Sequence, residues 1–186
     1  MRLALCLMSA CLLSALARAQ DATPGAQWLS YNNRLDGQRY SPLKEITPEN
    51  ASQLGEVCRV QVDGPTSFHA GFVIVDDVLY TTTGRNTFAI DAATCAVRWK
   101  HTYIPDEERA APSNRGLAVM DGRVFRGTGD ARLLALDAAT GNVLWKNVIG
   151  TSRLGESASG VPLAWQGVVY MGIAGSEIAR LWTACT

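Results

Sequence analysis

The chain repeats itself, and that repeat limits its fold more than any other feature. Ala89-Ile90-Asp91-Ala92-Ala93-Thr94-Cys95-Ala96-Val97-Arg98-Trp99 returns as Ala135-Leu136-Asp137-Ala138-Ala139-Thr140-Gly141-Asn142-Val143-Leu144-Trp145, at an offset of 46 residues. Ahead of each copy stand two apolar runs around a two-residue turn: 72–75 and 78–80 flank Asp76-Asp77, and 117–120 and 123–125 flank Asp121-Gly122. A third unit begins with 161–165 and 168–171 around Gln166-Gly167, so Asp77, Gly122 and Gly167 recur every 45 residues. The segments are short, rich in Val, Ile, Leu and Tyr, and separated by turn residues, which predicts strands. Four strands in roughly 45 residues, repeated, is the pattern of a β-propeller blade. A blade buries its faces only against its neighbours, so one alone holds no core. The expectation is an all-β chain of about three to four blades, with a short helical turn near 48–54 as the one exception.

Within each unit, Thr94-Cys95 or Thr140-Gly141 turns the chain between the last two strands, and Asp91 or Asp137 can accept hydrogen bonds from the turn amides. Trp99 and Trp145 can lie flat between blades, each covering about 200 Å². Other short patterns read blandly. Gly127-Thr128-Gly129-Asp130 begins like a dinucleotide loop but no helix follows, so it reads as a strand connection. Gly155-Glu156-Ser157-Ala158-Ser159 fails the nucleophile-elbow pattern at its last position. His101 reads as a strand-end residue, and 106–109 as a solvated loop.

The N-terminus has another logic. Arg2, the apolar run 3–16 and Ala17-Arg18-Ala19 make the three parts of a signal peptide, 1–19. Its removal leaves 15 basic against 17 acidic side chains. A balance so close to neutral gives no polyanion-binding surface, so no nucleic-acid partner is expected. Of five cysteines, Cys58, Cys95 and Cys185 remain in what should be an oxidising compartment. They allow one pair and one leftover. Cys58 with Cys95 is the favoured disulfide, since Cys185 lies in a tail that leaves the repeat; three free thiols is the alternative. The division that follows is a signal peptide at 1–19, an N-terminal segment at 20–55, propeller repeats at 56–177 and an aberrant or truncated tail at 178–186.

The pattern Ala-x-Asp-Ala-x-Thr-Gly-x-x-x-Trp resembles the tryptophan-docking motif of quinoprotein dehydrogenases, eight-bladed propellers that bind pyrroloquinoline quinone. Trp28-x-x-Tyr31, Asp36-Gly37-Gln38-Arg39-Tyr40-Ser41-Pro42-Leu43 and Ile46-Thr47-x-Glu49-Asn50 are similar to the opening of its methanol/ethanol dehydrogenase branch. Asn114-Arg115-Gly116 matches that branch's Asn-Arg-Gly element, and Gly175-Ser176-Glu177 looks like its Gly-Ala-Glu segment. The resemblance implies a partial eight-bladed propeller from a periplasmic enzyme oxidising a small alcohol, with a cytochrome c or a membrane quinone as electron acceptor. It implies that Arg115 holds the acidic edge of the quinone, that Ser159 supplies a hydroxyl, and that Ala174, Gly175 and Ser176 border the ring. Glu177 would be a ligand of Ca²⁺ or a lanthanide, a hard cation that prefers oxygen donors. The family's catalytic aspartate has no counterpart here, so the chain alone is expected to be inactive. The sequence departs from the pattern at 109–110, where methanol-type enzymes carry two adjacent cysteines, at His69 in place of a glutamate, and at Phe72 in place of a proline. A non-catalytic periplasmic propeller, acting as scaffold or binding protein, is the alternative.

Overall fold

The computed structural model describes residues 27–63, 68–106 and 113–175. The candidate signal peptide, residues 109–110, Ser176, Glu177, Cys185 and the tail lie outside them. The described chain forms two four-stranded antiparallel sheets and one hairpin. The first sheet runs β1 (Phe72–Val75), β2 (Val78–Thr82), β3 (Asn86–Asp91) and β4 (Val97–Thr102), each strand pairing with the next. The second repeats that order with β5 (Ala118–Met120), β6 (Arg123–Gly127), β7 (Arg132–Asp137) and β8 (Val143–Val148). A third unit contributes β9 (Leu163–Trp165) and β10 (Val168–Tyr170). The leading strand β5 lies against both β1 and β9, so the first strands of the three units stand side by side.

Local chemistry explains the hairpins. Asp76 and Asp77 have φ of 48° and 60°, Asp121 and Gly122 51° and 69°, and Gln166 and Gly167 48° and 79°. Two consecutive positive φ angles are what a two-residue type I′ turn requires, and its twist matches that of the strands. The later turns are equally alike. Asp91 Oδ1 accepts hydrogen bonds from the Ala93 and Thr94 amides and the Thr94 hydroxyl, and Asp137 Oδ1 does the same for Ala139 and Thr140. The pairing register slips between Ala89 and Ile90, and again between Ala135 and Leu136. One extra residue there re-aims the strand that follows.

The core lies between the two sheets. Val73, Val78, Tyr80 and Ala89 of the first pack with Leu117, Val124, Leu134 and Leu136. Trp99 crosses that seam: its Nε1 donates to the Ala138 carbonyl at 2.9 Å, as does the Tyr80 hydroxyl at 3.2 Å. The indole rests on Gly141, where an added Cβ would fall 2.6 Å from a ring carbon. Below it runs a polar clamp. Arg126 of β6, fully buried, donates Nη1 to the Asn86 carbonyl and the Thr87 hydroxyl, Nη2 to the Gly84 carbonyl and Nε to that of Gly127. Burial among neutral acceptors lowers its pKa to about 10. Buried Asp130 accepts from the Tyr103 hydroxyl and the Asp106 amide, both at 2.9 Å, and from Thr128.

Among the described residues there are two complete four-stranded sheets and the first hairpin of a third. Residues 27–63 build no strand: they hold one 3₁₀ turn, Ala51–Gln53, and meet the first sheet through the bridge between Trp28 and Ile74 and through Asp63, which accepts from Asn86 and pairs with Lys100. Cys58 and Cys95 are joined in a disulfide, which ties this N-terminal segment to the turn after β3.

Candidate functional site

The loops before β5 and β9 and the loop after β10 meet at one end of the leading strands. Backbone hydrogen bonds stitch them together. Gly71 N donates to Arg115 O at 3.3 Å, and Arg115 N donates to Ser159 O at 3.0 Å. Ala158 N reaches Thr128 O at 2.9 Å, and Ser157 and Ala174 exchange both bonds at 2.9 and 2.8 Å. Arg115, Ser159 and Ala174, named from the sequence as site residues, therefore lie on one connected run of backbone. Gly175 joins them because its φ is 88° and a Cβ would fall 2.1 Å from the Gly155 carbonyl oxygen. A side chain there would push the two loops apart. Ser176 and Glu177, next in sequence, lie outside the described residues.

Arg115 is presented by a buried anchor. Asn114 is only 2% exposed. Its Oδ1 accepts from the Thr82 hydroxyl of the first blade at 2.6 Å and from Gly116 N at 3.0 Å, while its Nδ2 donates to the Gly127 carbonyl of the second at 2.9 Å. Such a fully satisfied amide fixes the loop and both blades at once. Gly116, with φ of 144°, then lets the chain turn into β5. The guanidinium of Arg115 is exposed, and among the described residues no hydrogen bond or ion pair engages it. An arginine without an intramolecular carboxylate, set among small residues, suits an anionic ligand that accepts two parallel hydrogen bonds. Ser159 is half-buried, its hydroxyl 3.5 Å from that of Ser157. His69 is exposed.

From the other side, Tyr31 covers the starts of the two sheets. Its ring occupies the space above Gly71, where a Cβ would lie 2.6 Å away, and comes within 3.6 Å of the corresponding point on Gly116. Arg39 stands over that ring at 5.6 Å from its centre. Among the described residues no three His, Cys, Asp or Glu side chains cluster in a way that could hold a metal ion. The donor set in view thus fits the anionic edge of a planar ligand.

Sequence reasoning quoted Asn114 only as part of a motif and missed that it ties two blades together. It also read Gly127 as an ordinary turn residue. A Cβ at Gly127 would fall 1.9 Å from the Ala158 carbonyl oxygen, so the second blade and the loop before β9 can meet only across a glycine. The nearest signal was the Gly-Thr-Gly-Asp run itself, which concentrates turn residues without a hairpin of the usual kind.

The sequence model of the PQQ family described as "Glucose/ethanol/alcohol dehydrogenase, beta-propeller domain" matches residues 28–147. The quinohemoprotein alcohol dehydrogenase ADH-IIG of Pseudomonas putida is 35% identical over 166 residues, which is 86% of this chain and 23% of that protein. The lanthanide-dependent methanol dehydrogenase of Methylacidiphilum fumariolicum is 30% identical across 87% of this chain and 29% of its own length. The solved structure of ADHIIG from Pseudomonas putida HK5 superposes with a TM-score of 0.74 at 34% identity, covering 83% of this chain and 23% of that one. The chain thus spans about a quarter of the length of these relatives.

Proposed function

The chain belongs to the pyrroloquinoline quinone-dependent alcohol dehydrogenase family and is a portion of such a propeller, and from that premise we propose that the loop end around Arg115 is its share of the cofactor site. The observation that carries this reading is the exposed guanidinium of Arg115, which no group among the described residues engages, on a loop held by Asn114 and backbone-bonded to Ser159. Arg115 would bind the quinone's carboxylates, Ser159 would offer its hydroxyl, and Ala174, Gly175 and Ser176 would border the ring with little more than backbone. Glu177 would give a carboxylate oxygen to Ca²⁺ or a lanthanide. When bound, the quinone supplies the two-electron acceptor for an alcohol. The residues of this chain contribute binding, orientation and charge. The whole protein would act in the periplasm, where 1–19 directs it, and pass electrons to a cytochrome c or a membrane quinone.

Equilibrium dialysis of pyrroloquinoline quinone against the purified chain tests the site. Losing a charge-assisted pair should weaken binding by roughly 10- to 100-fold in Arg115→Ala. Arg34→Ala, at an exposed arginine of the N-terminal segment, should leave it unchanged. Equal affinity in wild type and Arg115→Ala would remove Arg115 from the site.

A further inference from the structure

The disulfide occupies a position that the repeat itself interprets. Cys95 is the residue of the first blade that corresponds to Gly141 of the second, 46 places on. Gly141 is where Trp99 of the preceding blade comes to rest. On the first blade the same turn carries Cys58, bonded to Cys95 and with its Sγ 3.8 Å from the Ala93 carbonyl.

The correspondence continues along the chain. Beyond Trp99, Asp106 reaches forward to Lys146 at 2.8 Å and to Arg132 at 3.5 Å, both on the second blade. Beyond Cys58, Asp63 reaches forward to Lys100 at 3.3 Å and accepts from Asn86 Nδ2 at 2.8 Å, both on the first. Lys100 and Asn86 are the 46-residue counterparts of Lys146 and Arg132. Asp63 also accepts from the Thr83 hydroxyl at 2.6 Å. These contacts and the amide bonds lower its pKa despite partial burial. Between Cys58 and Asp63 the burial alternates as in a strand: Cys58, Val60 and Val62 are half-buried, whereas Val57, Arg59 and Gln61 are exposed. No backbone hydrogen bond among the described residues engages 57–62.

We propose that the Cys58–Cys95 disulfide holds residues 57–63 against the first blade in place of the tryptophan-on-glycine contact that joins the first blade to the second. A covalent bond thus holds a segment that no backbone hydrogen bond engages among the described residues. The side chains that seat it, Cys58 and Asp63, meet the first blade at the turn and at the strand positions where Trp99 and Asp106 meet the second. This inference rests on the repeat and not on the cofactor reading.

Tryptic cleavage after Arg59, followed by mass spectrometry, tests it, because Arg59 is exposed within the seated segment. The oxidised chain should be cut slowly there, and Cys58→Ser/Cys95→Ser about 10-fold faster, as expected when a local opening becomes cheap. Cys58→Trp/Cys95→Gly, which copies the contact of the next seam, should return the slow rate without any disulfide. Amide exchange in β7 reports in the same samples whether the two blades remain folded. With β7 protected, a serine pair cut no faster than wild type overturns the proposal, and so does a Trp/Gly pair cut as fast as the serine pair.

Discussion

The seam between the first and second blades and the seam between the second and third begin alike and end differently. In both, an aromatic residue of the second strand leans on the tryptophan of the fourth: Tyr80 and Trp99 lie with centroids 6.1 Å apart, and Phe125 and Trp145 5.9 Å apart. At the first seam the indole lands on the Ala138–Gly141 turn. At the second, Trp145 borders a cavity of about 420 Å³ shared with Phe125, Leu133 and Val168. The hairpin beyond leaves Leu163, Trp165, Val168 and Tyr170 exposed, on one face by their register. Among the described residues, the first seam is the one that sets its tryptophan on the neighbouring blade's third-to-fourth-strand turn. Side-chain identity supplies half of the contact and sheet completeness the rest.

Truncation should separate the two seams most sharply. Trp99→Ala loses an indole packed on Gly141 and a hydrogen bond to Ala138, and should cost about 3–5 kcal/mol in urea unfolding. Trp145→Ala, at the cavity-lined seam, should cost about 1 kcal/mol or less. Equal losses would show that the second seam is as well packed as the first. Arg126→Ala should approach the Trp99 effect at roughly 3 kcal/mol, since it strips the half-buried Gly84 carbonyl of its donor and leaves the Asn86 carbonyl only the Thr83 amide. Gly141→Ala should follow at about 2 kcal/mol, because it meets the Trp99 ring at a φ of 76°. Gly122→Ala, also at positive φ but with open space around it, should cost less, and the difference isolates the indole contact.

What was readable in the chain was whatever repeats within a few residues. The turns at 76–77, 121–122 and 166–167 announce themselves by residue type, and Asp91 and Asp137 by their spacing to Thr94 and Thr140. The joining of Cys58 to Cys95 was the favoured pairing, yet its meaning came only when the repeat was laid over the fold. Arg126 and Asn114 were not legible as clamps. Their partners lie one blade away in sequence, at Gly84, Asn86 and Thr82, and an isolated polar residue in a strand or loop carries no mark of what it will meet. The described residues hold two complete four-stranded sheets and the first hairpin of a third, each set by its own copy of the repeat. At the site, Arg115, Ser159 and Ala174 lie on one run of bonded backbone with Gly175 beside them, whereas Ser176 and Glu177 fall outside what the structure describes.

The smallest expected effect concerns the turn aspartates, and it sharpens the comparison because one of them supports the turn on which Trp99 rests. The amides and hydroxyl of Thr140, with the Ala139 amide, hold the Asp137 carboxyl below its ordinary pKa. Asp91 is held lower still, first by Arg98 at 2.7 Å and then by Thr94. A carboxylate whose folded pKa is depressed contributes stability that is present above its unfolded value, near 3.8, and lost as the pH falls through the folded one. Unfolding midpoints should therefore hold steady from neutral pH to about 5 and decline below about 4. In Asp137→Asn the decline should be shallower, and Trp99 fluorescence should shift toward that of exposed indole in the same variant. Asp91→Asn should flatten the acid limb too but leave Trp99 unmoved, since the turn it braces receives a disulfide instead of an indole. A Trp99 signal that responds equally to both substitutions would mean that the two turns are not independent supports.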